Sequence, residues 1–261
     1  MRWVQRVRES VLSEGHKPLL PDLDADLRRQ LGIRSNASED SIAKIWERCA
    51  TDPEFYIFGG FVRTFDEKDH KYKPFPTTPY LKYTLNYIHQ GGPGDICAIP
   101  KTRQMKLTWL IAAECSWEAK FHTAARVMWQ SKKDQDACSI VYRNSWFHSR
   151  IGFIERALPP FMWSTGLKGT KGDLWYPNGS IISAIPQGPD MFRSYSPSLV
   201  VGDECCFQPE FEEAYGAMLP AIKGDPNVEG SGARAILISS ARAGTFFGEL
   251  IEANEEERIA A

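Results

Sequence analysis

The sequence predicts an α/β fold: a mostly parallel central sheet flanked by helices, preceded by an N-terminal helical and irregular extension. Three observations carry that reading. After Asp95, short apolar runs alternate with longer amphipathic segments, the pattern of parallel strands joined by helices. An apolar run over residues 96–99 gives way to a polar loop, 101–106, and then to an apolar-striped segment, 108–120. A second buried run, Leu199-Val200-Val201, stops at two adjacent carboxylates, Asp203-Glu204.

Taken in order, residues 1 to about 35 are charge-rich and broken by Pro18, Pro21 and Gly32, so a loosely packed lead-in is expected. A helix follows. Asn36 can cap it, Glu39 stands three residues on as in a capping box, and Ile42, Ile45, Trp46 and Cys49 form one apolar stripe. Residues 52–79 are aromatic and turn-rich, with Pro74, Pro76 and Pro79 at their end, and predict irregular strands and loops. Residues 96–99 read as a buried strand ended by Pro100, and 108–120 as a helix with Leu110, Ile111 and Cys115 inward. A strand is expected at 126–130. One helix then brings Ala137, Ile140, Val141, Phe147, Ile151 and Ile154 to a single face over the sheet. Segments 173–176 and 180–185 flank Pro177-Asn178-Gly179, whose Asn-Gly pair signals a hairpin. A strand at 199–201, a helix at 210–221 and a strand at 235–238 ending in Ser239-Ser240 complete the pattern. No internal repeat is evident.

The composition narrows the function classes. With 43% of 261 residues hydrophobic, the chain can bury one large core or two modest ones. No apolar run approaches the roughly 18 residues that cross a bilayer, and the start of the chain, with Arg2, Arg6 and Arg8, lacks a signal-peptide centre, so a cytoplasmic protein off the membrane is expected. The six cysteines form no C-x-x-C pair and predict free thiols. A formal charge of −2 excludes a global basic field, so any DNA contact must be local. Lys168, Lys171 and the Lys132-Lys133 pair are candidate patches; residues of this kind are more often solvated surface charge.

The chemistry lies in two segments. A phosphate-binding loop of the form G-x-x-x-x-G-K-[ST] opens a helix so that backbone N–H groups surround the phosphates. The corresponding window here is Lys101-Thr102-Arg103-Gln104-Met105-Lys106-Leu107-Thr108. Lysines replace both glycines and Leu107 replaces the usual lysine, while Thr108 keeps the Mg²⁺-binding hydroxyl position. About a hundred residues later come Asp203, placed to hold Mg²⁺, and Glu204, placed to orient and deprotonate water, because phosphoryl transfer depends on positioned charge around the γ-phosphate. Arg193, in a turn-rich segment eleven residues before Glu204, is a cation able to reach a phosphate or an ordinary surface arginine.

In this arrangement the chain resembles the ATPase domain of the large terminase subunit of tailed bacteriophages. That family often writes Arg-Gln before the loop glycine, as in Arg103-Gln104-Met105, and some members move the phosphate lysine to the first loop position, where Lys101 stands. A flexible lysine stem can deliver its point charge from the other side of the loop. Asp52-Pro53-Glu54-Phe55-Tyr56, Trp175-Tyr176-Pro177-Asn178-Gly179-Ser180, Ile185-Pro186-Gln187-Gly188 and Arg193 follow in family order. The resemblance spans residues 50–250. It implies an ASCE-type P-loop NTPase with Walker A and Walker B segments, binding ATP and Mg²⁺ through the 101–108 loop. By it, Lys101 and Thr108 meet phosphate and Mg²⁺, Arg103 senses the γ-phosphate, Asp203 ligates Mg²⁺ and Glu204 is the catalytic base. Arg193 would be an arginine finger for a neighbouring subunit, and Ser239-Ser240-Ala241 the segment coupling hydrolysis to movement.

The implied function is ATP-driven packaging of double-stranded viral DNA into a procapsid, by a ring of subunits working with the portal protein and the small terminase subunit. The place would be the host cytoplasm and, transiently, the procapsid portal. Residues 1–50 would be the lead-in, 51–250 the ATPase domain and 251–261 the start of a linker to a nuclease domain, with no nuclease activity expected in this segment. Two departures stand out. Lys106 replaces a glycine that normally permits positive φ and close phosphate approach. The adenine-side glutamine expected after an aromatic-Pro stretch is missing, since Leu81 follows Pro79-Tyr80; Gln90 is the alternative. A catalytically silent nucleotide-binding or structural packaging subunit is the competing reading, and a helicase-like ATPase, which needs a second motor lobe, another. The motor reading requires the 101–108 turn and the Asp203-Glu204 pair to face one another across neighbouring strand ends.

Overall fold

The computed structural model describes residues 39–66, 69–188, 196–225, 227–228, 230–240, 242 and 244–260. The expected lead-in up to residue 35, Arg193 and Ala241 lie outside these residues. Among them, no helix is long and apolar enough to cross a membrane.

The first elements form a helical and hairpin layer. Helix α1 (Glu39–Thr51) buries Cys49 and sets Trp46 edge-on to Phe121, 5.1 Å between ring centroids. Residues 52–79 are more regular than the sequence predicts. Asp52 caps a short helix, α2 (Pro53–Phe58), its Oδ1 accepting from Phe55 N at 2.8 Å with Pro53 in the first turn, where a missing N–H costs nothing. An antiparallel hairpin follows, β1 (Arg63–Asp66) with β2 (Lys71–Pro74). Pro79 then starts helix α3 (Pro79–Gln90) instead of closing a loop, again as a first-turn proline.

The core is a seven-stranded sheet. In chain order it comprises β3 (Ile96–Lys101), β4 (Arg126–Gln130), β5 (Lys168–Thr170), β6 (Asp173–Trp175), β7 (Ile181–Ile185), β8 (Leu199–Asp203) and β9 (Arg234–Ser240). Across the sheet the order is β3-β9-β8-β4-β7-β6-β5. The strands from β3 to β7 in that order pair in parallel, and β6 and β5 add an antiparallel edge. Strand alternation divides the interior. Leu199, Val201, Ile236 and Ile238 pack into one core with helix α4 (Leu107–Phe121), whereas Val200, Ala235 and Leu237 face a second core under helix α7 (Phe211–Lys223) and Phe247 of helix α8 (Phe246–Ala260).

The single helix expected to carry Ala137 through Ile154 is two helices, α5 (Asp134–Ile140) and α6 (Arg150–Ala157), separated by a 3₁₀ turn at Trp146–His148. Ser145 competes with the helix for its own backbone: its Oγ accepts from Phe147 N at 3.2 Å. Phe147, expected inward, is 55% exposed as a result. The Asn-Gly hairpin forms between β6 and β7, and Asn178 does more than turn the chain. Its Nδ2 donates to the carbonyls of Ala119, Lys120 and His122, satisfying the C-terminal end of α4.

Candidate nucleotide site

Strands β3, β8 and β9 all end at the same edge of the sheet, the carboxyl edge where open α/β sheets bind ligands. Lys101 closes β3, Asp203 closes β8 and Ser240 closes β9. The loop and the carboxylates do meet, but not across neighbouring strands: β9 lies between, with Lys101 in register with Ser240 and Asp203 with Ile238. Two interstrand spacings make about 10 Å, a gap that a lysine side chain and a carboxylate can bridge together.

They do bridge it. Lys101 Nζ lies 3.0 Å from Asp203 Oδ1, 3.2 Å from Glu204 Oε1 and 3.1 Å from Thr108 Oγ1. The centre is nearly dry, the Lys101 and Asp203 side chains being 9% and 8% exposed. Burial pushes the Asp203 carboxyl above its ordinary pKa; the Lys101 ammonium pulls the other way and Glu204 adds to the rise. Glu204 sits in the left-handed region at φ 57°, an uncommon place for a non-glycine residue, and so turns its carboxylate back toward Lys101 straight after the strand.

The 101–108 loop wraps a cleft of about 730 Å³ that Lys101, Thr102, Arg103 and Gln104 line together with Thr108 and Glu204. Arg103 and Gln104 are exposed, and Met105 Sδ accepts from Thr102 N at 3.3 Å, holding the turn. Leu107 is buried in the core, so only its backbone can face a ligand. Lys106 fills the expected glycine position with glycine's backbone shape. It takes the left-handed conformation, φ 59°, that glycine would supply, and its Nζ donates to the carbonyl of Phe65 on β1 at 2.6 Å. Lys106 thus ties the loop to the β1–β2 hairpin, which walls the cleft through Thr64, Asp66 and Lys73, and leaves Lys101 as the lysine beside the carboxylates.

Ser239 is fully buried and its Oγ accepts from Cys206 N at 3.0 Å, linking the end of β9 to the turn after Glu204; Ser240 lines the cleft. Gln90 does not line this cleft. It ends α3, ten residues or about 15 Å of helix beyond Tyr80, whereas Tyr80 lines the cleft and its hydroxyl donates to Met105 O at 3.0 Å. Lys132, Lys133, Lys168 and Lys171 are exposed and do not line the cleft.

Two residues escape the sequence reading. Gln208 donates from Nε2 to Asp203 O at 3.0 Å, holding the Asp203-Glu204 turn from behind. Arg150 opens α6 and lines the cleft. Only the helix break at Ser149 would have distinguished Arg150 from a mid-helix surface arginine.

No protein-family profile matches the chain. Solved structures do. The large terminase of bacteriophage HK97 matches with a TM-score of 0.57 at 14% identity, over 77% of this chain and 41% of that one. The large terminase ATPase domain of Thermus phage P74-26 gives 0.49 at 15% identity, over 76% of this chain and 72% of that domain. The large terminase of a thermophilic bacteriophage, in complex with ADP, gives 0.47 at 12%, over 69% and 44%. The fold, a mostly parallel sheet flanked by helices, is similar to that of the HK97 large terminase. The chain spans about two fifths of the HK97 protein, 41% of its length.

Proposed function

We infer that this chain binds ATP with Mg²⁺ and hydrolyses it, as the motor domain of a machine that packages double-stranded viral DNA. One observation carries the reading: Lys101 Nζ is centred among Asp203, Glu204 and Thr108 oxygens at 3.0–3.2 Å, at the carboxyl edge of a parallel sheet and on a cleft. An ammonium already held by a carboxylate and a hydroxyl identifies an oxygen set that suits a hard divalent ion. Among the described residues there is no cluster of three or more His, Cys, Asp or Glu that could hold a metal ion, so water and phosphate oxygens would have to complete the ion's shell. Thr108 and Asp203 would hold Mg²⁺, and the ion would neutralise phosphate charge.

The protein's own groups do the rest. Lys101 reorients from the carboxylates to phosphate oxygens as a point charge. The backbone N–H groups at the start of α4 face the phosphates. Glu204, released from Lys101, accepts the proton of the attacking water at a carboxylate oxygen. The exposed guanidinium of Arg103 reaches the γ-phosphate from the loop, and Arg193 serves a neighbouring subunit in the assembled ring. Ser239, through Cys206 N, and Ser240 with Ala241 pass changes at the catalytic turn to β9. DNA, portal protein, small terminase subunit and further copies of the chain are the partners this role requires, and the host cytoplasm and procapsid portal its place.

Calorimetry with Mg·ATP tests the reading. The parent should bind, Lys101→Ala should lose binding, and Glu204→Gln should keep it. Absence of heat from the parent would favour a silent packaging subunit, the reading that Lys106, filling a glycine position and tied to Phe65, supports.

A further inference from the structure

Arg150 is half-buried and shares its cleft with Lys101, Thr108 and Glu204. Glu204 on the same cleft is ion-paired with Lys101, and the Arg150 charge also favours the ionised form of the neighbouring Asp203 carboxylate. The place of Arg150 is fixed by rings. The guanidinium carbon lies 5.8 Å from the ring centroid of Trp109, the residue that follows Thr108 on α4. Trp109 meets Phe153 of α6 edge-on at 6.0 Å, and Phe153 stacks on Tyr72 of β2 at 4.6 Å and 20°. Arg150 is therefore mounted where the phosphate-loop helix, α6 and the hairpin come together, and any shift of Trp109 with the loop carries to it.

Charge balance calls for a cation there. Lys101 is shared between two carboxylates, Lys106 is tied to Phe65 O, and Lys73 is paired with Asp66 and Asp69, which leaves the lining's charge on phosphate to its two guanidinium groups, Arg103, exposed on the loop, and Arg150, half-buried at the start of α6. A bound triphosphate brings several further negative charges against Asp203 and Glu204. A planar guanidinium held near an aromatic ring is a pre-oriented fork for phosphate oxygens. The geometry points to Arg150 as a catalytic cation acting within its own subunit on the terminal phosphate of the nucleotide, distinct from any arginine supplied by a neighbour. The assignment rests on the ATP reading above.

The test compares Mg·ATPγS and Mg·ADP affinities, by calorimetry, for the parent, Lys101→Ala, Arg150→Ala and Arg150→Lys, with melting temperatures to check folding. Arg150→Ala should weaken ATPγS about ten- to a hundredfold, the worth of one or two charge-assisted hydrogen bonds, and leave ADP within about threefold. Arg150→Lys should fall between, still selective for loss of ATPγS; if Arg150→Ala fails to fold, this variant decides. Unchanged ATPγS binding overturns the assignment, and so does an equal loss for both nucleotides, which would make Arg150 a general packing contact. A parent that binds both nucleotides while Lys101→Ala binds neither upholds the ATP site even if Arg150 is silent. A parent that binds neither removes both conclusions.

Discussion

Two buried lysine–carboxylate centres lie among the described residues, and they are built to opposite ends. At one, Lys120 of α4 spends its ammonium on Glu155 Oε2 (2.8 Å), Met162 O (3.1 Å) and Ser164 Oγ (2.7 Å). Glu155 Oε1 in turn accepts from Ser116 Oγ at 2.7 Å and Tyr176 OH at 2.9 Å, and Tyr56 OH reaches Ser116 at 2.8 Å. Burial and the Glu155 charge push both tyrosine hydroxyls well above their usual pKa, so they stay neutral donors. Every polar atom named here has a partner, and the pair is sealed, 1% and 0% exposed. At the other centre, one ammonium faces two carboxylates, one carboxylate is pushed toward its neutral form, and Glu204 sits in strained backbone. The closed centre clamps α4 to α2 and α6; the open one sets two carboxylates against one ammonium at the head of the same helix, the arrangement on which the proposed nucleotide site rests. A satisfied network gives rigidity, and an unbalanced one gives reactivity.

The sharpest break between the two is kinetic. Glu204→Gln should lower turnover of the assembled motor about 10²- to 10⁴-fold, the usual worth of a general base, while its melting temperature stays at or above the parent's. Full turnover would reject Glu204 as the base. Next in size, Lys120→Met leaves Glu155 buried without its cation and should cost about 3–5 kcal/mol in urea denaturation. The same change at Lys101 should cost no more than about half of that, because Asp203 can take up a proton and solvent reaches Glu204. Equal losses at the two lysines would erase the distinction.

The sequence reveals most of the open centre because its parts are local. A strand that stops at Asp203-Glu204 and a strand-loop-helix unit at Lys101–Thr108 are each written in one short window, and parallel packing brings their ends together. The closed centre is invisible there. Tyr56, Ser116, Lys120, Glu155 and Tyr176 are scattered over 121 positions, and each alone reads as an ordinary polar residue. Arg150 is hidden for another reason. The apolar periodicity from Ala137 to Ile154 runs through the break at residues 141–149, and Ser145 and Ser149 end the helical ladder by backbone bonding that periodicity does not register. Pro53 and Pro79 mislead by position: the same residue that breaks a helix interior begins these two helices.

The smallest effect tests the contrast by pH. Glu114 of α4 is buried, like Asp203 and more completely, yet it is shifted the other way. Burial alone would raise it, but His89 at 3.0 Å and Arg234 at 3.1 Å hold it below the ordinary carboxylate range. A depressed carboxylate contributes stability above its unfolded pKa and loses it as pH falls through the folded one; a raised carboxylate costs stability at neutral pH, and that cost is relieved as pH falls through its folded pKa. Each pKa unit of displacement is worth about 1.4 kcal/mol. In urea denaturation without nucleotide or Mg²⁺, Glu114→Gln should therefore be less stable than the parent at pH 7, the gap closing only in acid below the usual carboxylate pKa of about 4.3. Asp203→Asn should be as stable as the parent or more so at pH 7, its advantage fading earlier in the descent as Asp203 of the parent takes up a proton. Stability curves that shift in parallel for the two variants would mean that both carboxylates are held alike, and the division between a clamped and a poised end of α4 would fail.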